Sequence, residues 1–186
     1  MSSYQWRAPI ADNRGVAGAA LTNTVTATSL LPATALVTIA GGALKVGDKF
    51  KVNIEGVLSN VVTAAPTLTL DVRIGSVSVF TAVMQLSTTV HTNVPFKADI
   101  TLEVKTVGAG TSATILGMMD ARSQAINLTA AADAGTSTPN VLYGGVSVGT
   151  GFDSTAGGQL DLRGTWSAAN ASNSVTINKY LVESVN

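Results

Sequence analysis

Residues 159–181, QLDLRGTWSAANASNSVTINKYL, decide the fold. Leu160, Leu162 and Trp166 lie two or four residues apart, so an extended backbone puts them on one face. Asp161, Arg163 and Thr165 then share the other face, the pattern of a half-buried strand. Ser167 to Asn173 is small and polar, a loop by composition, after which Val175 and Ile177 resume the alternation. The stretch predicts a strand, a tight return and a second strand, a terminal hairpin with no catalytic apparatus of its own.

The same period of two recurs upstream. Phe50, Val52 and Ile54 alternate with Lys51, Asn53 and Glu55, and Gly56 then marks a bulge or bend. Thr67 to Ile74 is the most regular run, with Leu68, Leu70, Val72 and Ile74 inward, and Gly75-Ser76 turns it into a hairpin partner, Val77 to Leu86. Val94 to Val107 places Phe96, Ala98, Ile100, Leu102 and Val104 on one face, against a solvated face of Lys97, Asp99, Thr101, Glu103 and Lys105. In Ser112 to Leu128, Ile115, Gly117, Met119 and Ala121 share a face, although this region also has room for a short helical turn. Thr22 to Ser29 and Ala35 to Ala40 add shorter strands, and Ala130 to Gly158 holds loops around one strand near Val141 to Asp153. About ten strands without a sustained helical period predict an all-β, antiparallel, two-sheet Greek-key sandwich. The echo of Leu70-Asp71-Val72-Arg73 in Leu160-Asp161-Leu162-Arg163 is explained by shared strand geometry.

Composition narrows the function classes. The chain has 186 residues, the size of one domain, with 11 basic and 11 acidic residues that cancel. Charged residues make up 12%, about half the usual share, and without a Lys/Arg cluster no nucleic-acid partner is expected. No cysteine is present, which excludes disulfides and Cys-based metal sites. Thr, Ser and Gly interrupt every apolar stretch, so no membrane span is expected, and Met1 to Ala20 lacks the apolar core of an export signal. Such a sparsely charged surface suits a body covered in part by copies of itself or by a larger assembly.

Residues 1–20 show no period and carry Tyr4 and Trp6 on a segment too short to bury them. They are read as an extended N-terminal arm, with residues 21–186 as the sandwich domain, and Tyr4, Trp6, Arg7 and Arg14 as arm anchors. Gly145-Val146-Ser147-Val148-Gly149 matches the Gly-x-Ser-x-Gly pattern of serine hydrolases, but no helix is expected after it. The single histidine, His91, also precedes the serine and is placed in a turn region as an ordinary surface residue. One histidine cannot supply a cupin-type metal site, and no cofactor and no enzymatic activity are expected. Tyr143 and Phe152 are weighed as a sugar- or partner-binding patch, with core packing the preferred place for both.

Several of these elements together resemble a module of tailed-bacteriophage virion proteins. They are Leu-Asp-Leu at 160–162, Trp166, the loop ending Ala-Ser-Asn-Ser at 171–174 and the final Val/Ile strand. Leu44-Lys45-Val46-Gly47-Asp48 before one strand and Pro66-Thr67-Leu68-Thr69-Leu70 leading into another fit as well. The resemblance implies a jelly roll serving as a capsid decoration, or cement, protein. It further implies a homotrimer bound to the major capsid protein on the outer capsid surface of the virion. The alternative is a receptor- or glycan-binding head domain of a tail fibre or spike, since one fold serves both roles.

Overall fold

The computed structural model describes residues 7–61, 66–127, 143–148 and 151–185, with the backbone alone for 143–148. Among the described residues there are twelve strands, one 3-10 turn at Ala33–Ala35 and no α-helix. The strands are β1 (Arg7–Asp12), β2 (Leu21–Thr22), β3 (Thr28–Ser29), β4 (Val37–Ile39), β5 (Lys49–Asn60) and β6 (Thr67–Ile74). They continue as β7 (Val77–Gln85), β8 (His91–Thr106), β9 (Thr114–Ser123), β10 (Tyr143–Val148), β11 (Gly158–Trp166) and β12 (Ser174–Val185).

The strands form two antiparallel sheets. A seven-stranded sheet runs β1-β12-β5-β8-β9-β10, with β2 continuing the edge beside β12. A five-stranded sheet runs β3-β11-β6-β7, with β4 also on β11. If β1 and β2 share one edge position and β3 and β4 another, the orders β1-β12-β5-β8 and β3-β11-β6-β7 are those of a jelly roll, which β9 and β10 extend on one side. Alternation drives the assembly. Leu68, Leu70, Val72 and Ile74 of β6 and Phe96, Ala98, Ile100, Leu102 and Val104 of β8 all turn into one core between the sheets. Burying each such aliphatic side chain contributes about 1.5–3 kcal/mol before entropy is counted. Gly117 of β9 makes room for the Phe80 ring of β7, from which a Cβ there would lie only 2.0 Å.

The stretch that decides the fold is a pair of strands but not a hairpin. β11 pairs with β6, β3 and β4 in the smaller sheet, whereas β12 pairs with β5, β1 and β2 in the larger one. Residues 167–173 carry the chain across the roughly 10 Å between packed sheets. Both strands still bury the faces that alternation assigns to them, because each faces the same core from opposite sides. Trp166 anchors the crossing by donating from Nε1 to the Leu21 carbonyl at 3.0 Å.

From Arg7 onward the segment expected as an arm is paired, since residues 7–22 run antiparallel along β12 as an outer edge. β1 pairs Arg7 with Val185 and Asp12 with Leu181, Gly18 N–H donates to the Ile177 carbonyl, and β2 pairs Leu21 with Val175. Between these contacts Asn13 pairs through its backbone N–H, which donates to the Tyr180 carbonyl at 3.2 Å, and through its side chain. Its Nδ2 donates to the Asn178 and Val16 carbonyls at 2.7 and 2.8 Å, and its Oδ1 accepts from Tyr180 N–H at 3.3 Å. Alternation has no means of seeing this, because much of the pairing here is made by one polar side chain. Tyr4 and Trp6 lie outside the described residues. Two smaller expectations change as well: His91 opens β8 opposite Asn60 instead of sitting in a turn, and Thr114–Ser123 is strand throughout.

Loss of Asn13 leaves buried backbone groups of β12 unpaired, so Asn13→Ala is expected to cost about 1–3 kcal/mol in urea unfolding. A cost under a few tenths would show that the ladder does not depend on it. At one end of the sandwich, Asp153 Oδ1 accepts from the Thr155 hydroxyl at 2.6 Å and from the N–H groups of Thr155 and Ala156 at 2.8 and 3.2 Å. The Thr155 hydroxyl, then the N–H groups of Gly110, Thr155 and Ala156, hold this carboxyl down from 3.8 to about 2. A depressed folded-state pKa gives stability that is full above the unfolded value and is lost as pH falls through the folded one. The melting temperature should therefore fall between pH 3.8 and about 2, and less steeply in Asp153→Asn; equal slopes would count against this role.

Candidate functional site

The outer face of the seven-stranded sheet carries a groove of about 590 Å³, within the usual range for small-ligand sites. It owes its shape to one extra residue. β12 has a bulge between Ile177 and Lys179, so the consecutive residues Asn178 and Lys179 are both exposed beside β5. Gly56 stands opposite the bulge, and a Cβ there would meet the Thr176 carbonyl oxygen at 2.1 Å. Glycine at this position is thus required by the partner strand's bulge, and the expected irregularity at Gly56 belongs to β12. Asn13 holds the bulge from its other side through the Asn178 carbonyl.

Gly56, Pro95 and Phe96 also line it, Phe96 with its side chain turned into the core, and Gln124 and Asn178 add amide groups. Across it runs a register row of four charged side chains from four neighbouring strands: Lys179, Glu55, Lys97 and Arg122. Lys179 Nζ lies 3.0 Å from Glu55. Lys97 and Arg122 are directly opposite each other, and in the next row Asp99 is directly opposite Asp120. Each cation leans on the carboxylate two residues along its own strand, Lys97 to Asp99 at 3.7 Å and Arg122 to Asp120 at 3.2 Å. Asp120 Oδ1 is buried with no hydrogen-bond partner among the described residues.

The other sheet shows the opposite arrangement of the same charges. The two echoing tetrapeptides, residues 70–73 and 160–163, lie side by side in β6 and β11, so Arg163 faces Asp71 and Asp161 faces Arg73. Opposite charges meet across the strands, and the carboxylates are nearly enclosed, Asp71 at 6% and Asp161 at 5% exposure. Arg163 Nε donates to Asp161 at 2.9 Å and Ser29 Oγ donates to it at 2.6 Å; Arg73 and the Ser78 hydroxyl both donate to Asp71. The echo is thus more than shared strand geometry: it builds a checkerboard that closes this face. Like charges opposite one another, as in the groove, oppose pairing.

Of the residues singled out in the sequence, none whose side chain is described lines the groove. Arg7 is exposed in β1, 3.9 Å from Glu183, and Arg14 sits in an exposed turn at φ 48°, its N–H donating to Asp12 Oδ1. Phe152 is 2% exposed and bridges Ala113, so it packs in the core and offers no binding platform. Tyr143 opens β10, opposite Ala121, and its side chain is outside the described ones. Ser147 stands at a regular ladder position opposite Gly117, within a strand instead of at a sharp turn. Gly117 in turn pairs with Leu102, eleven residues along β8 from His91, or roughly 35 Å. His91 and Ser147 are therefore far apart. Among the described residues no three His, Cys, Asp or Glu side chains gather in a way that would hold a metal ion. The groove residues went unnoticed because alternation marks them only as a solvated face. The signal that was present is Asn178-Lys179, which breaks the period of β12.

No family model and no curated protein matches the chain. Among solved structures it is similar to the CBM2 module of the evolved Dit of Lactobacillus casei BL23 phage J-1, at 9% identity and a TM-score of 0.40. The match covers 99% of this chain and 98% of that one.

The two charge arrangements predict different mutational costs. Arg163→Gln strips a nearly enclosed carboxylate of its partner and should cost about 1–3 kcal/mol. Arg122→Gln removes an exposed cation from a like-charge pair and should change stability by no more than about 0.5 kcal/mol in either direction. Equal losses for the two in urea unfolding would show that the arrangements do not differ energetically.

Proposed function

We propose that the chain is a non-catalytic binding module of a bacteriophage virion, located on the tail, whose groove on the larger sheet engages a glycan receptor. The observation that carries this reading is the groove itself. Its lining joins two amide side chains to charged groups held in pairs, with Gly56 and the exposed Pro95 between them. Sugars present hydroxyls that both donate and accept, so a lining of amides, carboxylate and cations satisfies them. The resemblance of residues 160–174 and 44–70 to tailed-phage virion modules supports the setting.

The decoration reading put its capsid contacts on the N-terminal arm. From Arg7 onward that segment is tied into the ladder of β12, so Arg7 and Arg14 could anchor a capsid through their exposed side chains alone, and releasing the strand would strip the sheet edge. This favours the groove over the arm as the binding element.

The test is an array of immobilised bacterial surface glycans probed with the full chain and with Gln124→Trp, which fills the groove from an exposed position. Binding to a glycan subset, lost in Gln124→Trp at unchanged melting temperature, is the expected result. Binding that Gln124→Trp leaves intact would overturn the assignment to the groove. A count of this chain in intact virions tests location: a few to a few dozen copies agree with a tail, and hundreds would restore the capsid.

A further inference from the structure

We infer that the groove is built for an anionic ligand, a saccharide carrying carboxylate or phosphate groups; this rests on the glycan reading and narrows it. Three cations, Lys97, Arg122 and Lys179, and a single carboxylate, Glu55, line the groove. The carboxylates that lean on Lys97 and Arg122, Asp99 and Asp120, belong to the neighbouring row and are not part of the lining.

The alignment of that row is what points to an anion. Lys97 and Arg122 are register partners on adjacent strands, at the spacing where like charges oppose pairing. A sequence selected only for a stable sheet would place opposite charges there, and this chain does so on its other face, with Arg163 opposite Asp71 and Asp161 opposite Arg73. Departures of this kind from local stability collect where a site is kept for binding. An anion between Lys97 and Arg122 converts the repulsion into two charge-assisted hydrogen bonds, with the guanidinium able to hold a carboxylate or phosphate through two parallel N–H groups. Lys179 on the far side of Glu55 extends the cationic lining, so a ligand with charges on successive units fits better than an isolated ion. Gln124 and Asn178 remain for the hydroxyls between.

Calorimetric titration of the full chain with trigalacturonate, its neutral methyl ester and a glycerol phosphate trimer, each at low and high salt, tests this. At least one anionic probe should bind about tenfold tighter than the methyl ester, the value of one charge-assisted hydrogen bond. That advantage should shrink with salt and disappear in both Lys97→Gln and Arg122→Gln, which should melt close to the parent chain. The stronger of the two anionic probes identifies carboxylate or phosphate as the source. Equal binding of the methyl ester, or an advantage that survives both substitutions, overturns the anion inference and leaves the glycan reading standing. If no probe binds while the array still shows Gln124-dependent binding of neutral glycans, the anion inference alone falls. If the array shows none either, both fall.

Discussion

A single inserted residue in β12 is the constraint on which the grooved face of the larger sheet depends. β12 pairs with β5 on one side and with β1 and β2 on the other, so a bulge between Ile177 and Lys179 must be absorbed by both neighbours at once. On the β5 side Gly56 gives way, because the Thr176 carbonyl occupies the space of any Cβ. On the β1 side the side chain of Asn13 reaches in and takes over the hydrogen bonds of Asn178 and Tyr180. With both accommodations in place, Asn178 and Lys179 stand exposed together and the groove opens between β12 and β9.

The two outer faces put one kind of material to different uses. Both carry Asp-x-Arg or Lys-x-Asp pairs along their strands, at the spacing that keeps charges on one face. On the smaller sheet antiparallel register sets these pairs against each other with signs opposed. The result closes over Asp71 and Asp161 and adds Ser29 and Ser78 as donors. On the larger sheet the register sets sign against like sign, and the charges stay open to solvent. The Asp161 charge is felt beyond its own sheet: burial first, and then this carboxylate, raise the Tyr180 phenol well above its ordinary value.

Alternation in β6, β8, β9 and β11 made the core legible at the level of single residues. Leu68, Leu70, Val72, Ile74, Gly117 and Trp166 all lie on the predicted face. Partner choice was not legible in the same way. β11 and β12 look like a hairpin because each is a good strand and the loop between them is short, yet they pack across the core from each other. The 7–22 edge was missed since its pairing relies on Pro9, a bulge and a side chain in place of periodic residues. The groove escaped for a related reason: its lining comes from β5, β8, β9, the turn after β9 and β12, and only register aligns them.

The sequence by itself determined an all-β sandwich, its inward faces and the hairpin at Gly75-Ser76, since these follow from a period of two and from turn residues acting locally. Only the tertiary structure decided which strands are neighbours, that residues 7–22 seal an edge, and that Lys97 meets Arg122 while Arg163 meets Asp71. The physical reason is that alternation specifies the face of a side chain, whereas the residue opposite it depends on pairing between strands distant in the chain.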